Sequence, residues 1–312
     1  MKPKSLLVIG GSGFVGNSIL KYLLNNSFLN IKINKIFILS RRKLKLAIYN
    51  KRLKKKLKII KINSNILTIK NLPKADYVIY AAILSSYEKD HAAVKNYLNL
   101  AKKYHSDSKI LYISSGAIYG KQSNSISKFR ENHLELYKKI NFKEGYKKEY
   151  SKTKKKNEEL FKKFGKTGKK VSIARCFSFV GEYLPLNSHY VVGNIIKNIL
   201  KNKSITIKAN YKIIRSYMYS DDLVRWLLRI LDNSNRYCPI YNVGSDDSVS
   251  METLSHWLGK KYNLINSKEK KLRNIVDKYI PNIQKAKKEL NLSNNYSSLS
   301  AIIKTITILK KK

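Results

Sequence analysis

Tyr150 and Lys154 stand four residues apart in Tyr150-Ser-Lys-Thr-Lys154, a spacing that puts both on one face of a helix. An ammonium beside a phenol favours the phenolate and draws the phenol pKa down from its reference near ~10. A tyrosine held this way can pass a proton at physiological pH. In a chain with 22 tyrosines and 64 lysines plus arginines the pair alone means little; its weight comes from what precedes it. Lys109-Ile-Leu-Tyr-Ile-Ser-Ser115 is an apolar run that ends in two hydroxyls, Ser114 and Ser115. Open α/β sheets bind their ligands beyond the carboxyl ends of the strands, so both serines are expected to face the site that Tyr150 and Lys154 serve.

These side chains need a scaffold, and the first residues supply one. Leu6 to Ile9 is a continuous apolar run, as a parallel strand buried on both faces requires, and Asn17 to Leu24 carries Ile19, Leu20, Leu23 and Leu24 at helical spacing. Between them lie Gly10, Gly13 and Gly16. Glycines there permit a tight turn, close backbone approach to a pyrophosphate and close packing of helix on sheet. The strand, turn and helix together predict a dinucleotide site formed by Gly10, Gly13, Phe14, Val15 and Gly16.

Lys35-Ile-Phe-Ile-Leu-Ser40 reads as a second strand running into Arg41 and Arg42. An acid at this point binds the ribose 2′-hydroxyl of NAD, whereas an arginine can take the 2′-phosphate of NADP. With two arginines and no acid, Ser40, Arg41 and Arg42 predict NADP, with NAD the alternative. Residues 43–72 hold a basic stretch and a strand near Leu57–Ile62. Asp76 to Ala82 is a further strand, and its small Ala81 and Ala82 let a cofactor lie close. A helix is expected from His91 to Tyr104.

Length and composition narrow the class. The chain has 312 residues, 43% of them hydrophobic, enough to bury a sizeable core. Cys176 and Cys238 are not closely spaced, and the five histidines show no metal-ligand pattern, so reduced thiols, no metal and a cytoplasmic setting are expected. No apolar run approaches the ~18 residues of a membrane span. The formal net charge of +44 attracts polyanions. It equally reflects a composition biased toward Lys, Asn, Ile and Tyr. An RNA-binding reading fits the charge, but the tyrosines are scattered rather than interleaved with basic residues as stacking platforms, and nucleic acid is not the expected partner.

Taken in order, the motifs resemble those of the extended short-chain dehydrogenases/reductases of the nucleotide-sugar epimerase/dehydratase type, over nearly the whole chain. The glycine turn is similar to that family's G-x-x-G-x-x-G. Ser115, four residues before Tyr119, is similar to the triad serine of its S-S-x-x-x-Y-G strand, and Tyr150 with Lys154 to its Y-x-x-x-K. Ala174-Arg-Cys-Phe-Ser-Phe-Val-Gly181 resembles its R-x-F-N-x-x-G segment, which implies Phe177 beside the nicotinamide and Ser178, in place of the usual Asn, among the substrate contacts. Asn187-Ser-His-Tyr190 resembles a histidine-bearing segment and implies His189 as a substrate contact. Arg215-Ser-Tyr-Met-Tyr-Ser-Asp-Asp-Leu resembles R-x-Y-x-x-x-x-D-L and implies Arg215 as a ligand for the diphosphate of a nucleotide-diphosphate sugar. The resemblance further implies a homodimer.

The expected architecture is α/β: a doubly wound parallel sheet, the Rossmann fold, over about residues 1–180, and a smaller mixed α/β substrate-binding portion over 181–312, with about 215–245 returning to the sheet. Members similar to 4,6-dehydratases carry an Asp-Glu pair after the triad hydroxyl, where this chain has Gly116 and Ala117. Fucose-synthase-like members use a Cys and a His, and Ala117 stands where the Cys belongs. Two reactions remain. In one, NADPH reduces the C4 ketone of a nucleotide-linked 4-keto-6-deoxyhexose for surface-polysaccharide sugar synthesis, with Tyr150 giving the proton, Lys154 tuning it and holding the nicotinamide ribose, and Ser115 orienting the carbonyl. In the other, tightly held NAD serves a 4-epimerase.

Overall fold

The computed structural model describes residues 4–25, 33–44, 57–136, 146–187, 190–207, 209–265 and 273–312. The apolar runs of the N-terminal half become strands of one sheet: β1 (Lys4–Ile9), β2 (Ile33–Leu39), β3 (Lys58–Ile62), β4 (Tyr77–Tyr80), β5 (Lys109–Ser115) and β6 (Lys170–Cys176). Their order is 3-2-1-4-5-6, with a seventh strand, β10 (Ile240–Val243), outside β6. Neighbours from β3 to β6 pair in parallel. Leu6 to Ile9 are fully buried, which is why β1 carries no polar alternation. This is the doubly wound α/β arrangement.

Three long helices accompany these strands: α1 (Phe14–Asn25), α2 (Tyr87–Tyr104) and, between β5 and β6, α4 (Tyr146–Lys166), the short α3 (His133–Leu136) preceding the last. Ser86 caps α2 by accepting the Lys89 N–H, with Glu88 and Asp90 in the first turn and Lys102 and Lys103 in the last. Cap and charges both suit the helix dipole. The core between sheet and helices is ringed with aromatics: Tyr112 stacks on Phe161 at 4.4 Å between centroids, and Tyr80 lies 5.2 Å from Tyr97. Of the basic stretch after β2, residues 45–56 lie outside the described residues.

Contacts gather the chain into two compact units, Met1–Ile118, Phe142–Cys176 and Val224–Tyr241 in the first, Tyr119–Asn141, Phe177–Leu223 and Asn242–Lys312 in the second. The second is mixed α/β. In it β8 (Tyr211–Ser216) pairs antiparallel with β11 (Ser248–Ser250) and parallel with β12 (Arg273–Tyr279), and β7 (Phe179–Val180) pairs with β9 (Met218–Tyr219). Its core packs Ile195 and Ile199 of α5 (Val191–Leu200) with Leu254 of α7 (Met251–Tyr262) and Ile302 of α9 (Ser298–Lys310). Helices α6 (Ser220–Asp232) and α8 (Gln284–Leu290) complete the chain. No described helix is long and apolar enough to cross a membrane.

His105, at the C-cap of α2, is 1% exposed, and its Nε2 lies 2.9 Å from the Pro73 carbonyl oxygen. Nε2 therefore carries the hydrogen, and Nδ1 is buried without a partner. Burial pushes this imidazole pKa below its usual value, against the pull of the Pro73 carbonyl. On acidification the unfolded chain takes up the proton first, near pH ~6.5. Stability is thus lost as pH falls from there toward the folded pKa, by about 1.4 kcal/mol per unit of depression. His105→Gln, which retains a donor for Pro73, is expected to lose less unfolding free energy than the parent between pH 7 and pH 5 in urea titrations. Equal losses would exclude His105 as the source.

Candidate active site

The carboxyl ends of β1, β2 and β4 are drawn together where the strand order reverses. Gly10 N–H donates to the Leu39 carbonyl at 3.0 Å, and Ala81 N–H donates to that of Ile9 at 2.9 Å. Gly10 has φ +87°, and a Cβ on it would lie 2.6 Å from Ala82 Cα, so both backbone conformation and space require glycine. A Cβ on Gly16 would come within 2.3 Å of Gly11 Cα. Gly13 differs: the nearest atom to its Cβ would be Gly10 O, at 3.6 Å. No protein atom crowds that face, which opens at the start of α1. Asn17 Nδ2 holds the turn by donating to the Ser12 and Gly13 carbonyls at 2.8 and 2.9 Å, and no acid stands in the first turn of α1. A glycine that packing does not demand, at a helix N-terminus without a carboxylate, fits a pyrophosphate lying against the backbone. Phe14 and Val15, both half-buried, form that first turn.

The end of β2 is tied to the same turn. Ser40 is buried and its hydroxyl donates to Ser12 Oγ at 2.6 Å while accepting the Arg42 N–H at 3.2 Å. Arg41 and Arg42 are exposed beyond it. These residues fit a dinucleotide whose adenosine ribose reaches the β2 end.

At the end of β5 the two serines part. Strand alternation turns Ser114 inward, where its hydroxyl donates to Glu158 Oε1 at 2.5 Å. Ser115 is half-buried and accepts the Ala117 N–H at 3.1 Å. The expectation that both hydroxyls face one site is therefore corrected: Ser114 holds a helix, and Ser115 alone stays available. Glu158 also receives Arg175 from β6, whose Nη2 lies 2.8 Å from Oε2 and whose Nε donates at 3.1 and 3.2 Å. Both members of this pair are 2% exposed. Ser151 Oγ donates to the Ala117 carbonyl at 2.7 Å. Together these bonds fix α4, and with it Tyr150, against β5 and β6.

Lys154 is 2% exposed, with Nζ 5.8 Å from the Tyr150 ring centroid, 5.1 Å from that of Tyr112 and 4.0 Å from Asp90 Oδ2. Burial disfavours its charge, but Tyr112, Asp90 and Cys176 outweigh burial and hold its pKa above the usual lysine value. It is an ammonium at physiological pH. Burial pushes the Cys176 thiol up to about 12, so that neighbour is neutral. Ser151, Asp90 and Glu158 carried no motif in the sequence. Their one signal, polar residues on the apolar side of a helix, becomes readable only when the buried face is known.

The remaining candidates lie in the second unit. The Phe177 ring is 4.7 Å from that of Tyr279, and its N–H donates to the Val243 carbonyl at 3.0 Å. Ser178 is half-buried, and its carbonyl accepts the Met218 N–H at 3.1 Å. Arg215, on β8, is already engaged. Its Nη1 donates to the Ile214 and Asp277 carbonyls at 2.8 and 2.6 Å and its Nη2 to Asp277 Oδ2 at 3.0 Å. His189 lies outside the described residues. Among the described residues no group of three or more His, Cys, Asp or Glu could hold a metal ion.

The model of the NAD dependent epimerase/dehydratase family matches residues 6–244. The chain belongs to that family, one of nicotinamide-dependent enzymes. The uncharacterized protein MJ1055 of Methanocaldococcus jannaschii is 28% identical over 291 residues, 84% of this chain and 83% of that protein. Among solved structures, the dTDP-glucose 4,6-dehydratase of Bacillus anthracis in complex with NAD has a TM-score of 0.76 at 16% identity, over 99% of this chain and 97% of that one. The UDP-glucose 4-epimerase of Thermotoga maritima with UDP-glucose has a TM-score of 0.75 at 19% identity, over 98% and 99%. At these identities the two structures share the fold with this family member.

The contrast between the glycines is testable. Gly13→Ala is expected to melt as the parent does while weakening NAD(P)H binding about tenfold or more, equivalent to ~1.4 kcal/mol. Gly10→Ala is expected to lower the melting temperature. Unchanged cofactor affinity in folded Gly13→Ala, read by nicotinamide fluorescence, would move the pyrophosphate away from this turn.

Proposed function

We propose that this enzyme reduces the C4 ketone of a nucleoside-diphosphate-linked 4-keto-6-deoxyhexose with NADPH. The observation that carries the choice of cofactor is the β2 end, where Ser40 bonds Ser12 of the glycine turn and two exposed arginines follow in place of an acid. A guanidinium suits the dianionic 2′-phosphate of NADP and, having no acceptor, cannot take the hydrogen of a 2′-hydroxyl as a carboxylate does. The dTDP-glucose and UDP-glucose enzymes of similar fold support a nucleotide sugar as substrate.

When bound, NADPH supplies hydride to C4. Tyr150 gives its phenolic proton to the carbonyl oxygen, which becomes the hydroxyl of the product. The Lys154 ammonium stabilises the phenolate that this leaves, and a proton from solvent restores the phenol. Ser115 donates a hydrogen bond to the same oxygen and orients it. Arg215 takes the diphosphate by exchanging part of its engagement with Asp277 for phosphate oxygens. Gly116 and Ala117 bring no carboxylate to the end of β5, so the elimination of water across C5–C6 lacks its acid and base.

Tyr150→Phe is expected to lower kcat by about 10² to 10⁴ with cofactor affinity retained. Arg41→Asp should weaken NADPH by about 10- to 100-fold, the worth of a charged hydrogen bond, and NADH far less. Mass spectrometry of the dinucleotide released on denaturing fresh protein separates the reactions. Exchangeable NADP supports the reductase, and stoichiometric NAD that survives gel filtration replaces it with the 4-epimerase.

A further inference from the structure

Lys154 is enclosed by rings. Tyr112, 5.1 Å from Nζ, is stacked on Phe161 at 4.4 Å and lies 6.0 Å from Tyr80. An ammonium in such surroundings loses most of its hydration and needs an opposite charge. The groups that face it can be taken element by element. From β5 comes Tyr112, and behind it on β4 Tyr80, phenols that burial keeps neutral. From β6 comes Cys176, a neutral thiol. On α4 itself Tyr150 is one turn away, and Glu158, a turn beyond, is held by Arg175 and Ser114. From α2 comes Asp90, its side chain 4% exposed.

We propose that Asp90 is the counter-charge that keeps Lys154 ionised and in place, and so a positioning residue for proton transfer at Tyr150. The proposal rests on the reading of Tyr150 as the proton donor. Asp90 sits in the first turn of α2, where an acid ordinarily serves the helix dipole, but the neighbouring Glu88 is exposed and fills that role. Asp90 is instead bonded on all sides. Its Oδ1 accepts the Leu84 N–H at 3.2 Å, and its Oδ2 accepts from Asn157 Nδ2 at 3.2 Å. Asn157 is turned for this by its Oδ1, which lies 2.7 Å from His91 Nδ1. One carboxylate thus joins the loop that follows Ala81 and Ala82 to the helix that carries Tyr150 and Lys154. The ammonium is tethered to the wall where the nicotinamide is expected to lie.

The test replaces Asp90 by Asn, which preserves shape and an acceptor oxygen but removes the charge. In cofactor-free protein labelled with ¹³Cε-lysine, the Lys154 signal is identified by its loss in Lys154→Arg. In Asp90→Asn it is expected to titrate at least about one pH unit lower than in the parent. The pH midpoint of kcat in the substrate-oxidising direction, where the phenolate is the base, is expected to rise. An ammonium no longer held in place beside Tyr150 favours the phenolate less, and Asp90→Glu should restore the parent midpoint in part. A Lys154 titration that does not move overturns the proposal, as does a kcat midpoint that stays or falls. If Asp90→Asn fails to fold, the double variant Asp90→Asn/Lys154→Met is expected to fold, because both buried charges are gone. A double variant no more stable than the single ones overturns the pair. Turnover retained in Tyr150→Phe would remove the proposed function and leave the cofactor-free titration to decide the counter-charge.

Discussion

Helix α4 buries two opposite charges one turn apart, Lys154 and Glu158, each with about a fiftieth of its side chain exposed. A leucine at either position could slide along an apolar wall and lose little, because dispersion is non-directional. A buried charge cannot. Removing one partner of such a pair leaves an uncompensated ion and destabilises by roughly 3–5 kcal/mol. Glu158 therefore fixes α4 to Arg175 on β6 and Ser114 on β5, and Lys154 fixes it to Asp90 on α2. Two anchors a turn apart set both the rotation of the helix and its position along its axis. Tyr150, a turn before Lys154, inherits that placement.

The high positive charge of the chain has little part in this. Most described lysines of α2 and α4 are exposed, among them Lys95, Lys102, Lys152, Lys155 and Lys163, and water and salt screen them. The buried cations, Lys154 and Arg175, are the ones that act on α4. A field of +44 raises the local concentration of any polyanion. It does not select one. On the proposed reading, selection at the cofactor end falls to the open face of Gly13 and to Arg41 and Arg42, whose exit from the sheet the Ser40–Ser12 bond sets.

What could be read from the sequence was whatever is local or periodic. The Leu6–Ile9 run, the Lys109–Ser115 run and the i, i+4 spacing of Tyr150 and Lys154 translate directly into elements, because period and length suffice for them. The glycine turn was legible for the same reason, its strand and helix being adjacent in the chain. The partners of the buried charges were not. Glu158 meets Arg175 across 17 positions and Asp90 meets Asn157 across 67, and no pattern in either segment points to the other. Ser114 and Ser115 show the cost of reading residue type without facing: two identical neighbours on a strand go to opposite sides. Arg215 was read as a diphosphate ligand, and its engagement with Asp277, 62 residues on in a strand with no motif of its own, was not legible.

The short turn after β5 bears on how much chemistry the first unit can do. Its second residue, Ala117, is bound through its backbone on both sides, its N–H to Ser115 and its carbonyl to Ser151. The turn therefore ties the end of β5 to the helix that carries Tyr150, and neither Gly116 nor Ala117 brings an acid or base. A site built on Ser115, Tyr150 and Lys154 has one mobile proton at its disposal. On the proposed reading that proton matches one hydride and one carbonyl oxygen, as reversible reduction at a single carbon requires.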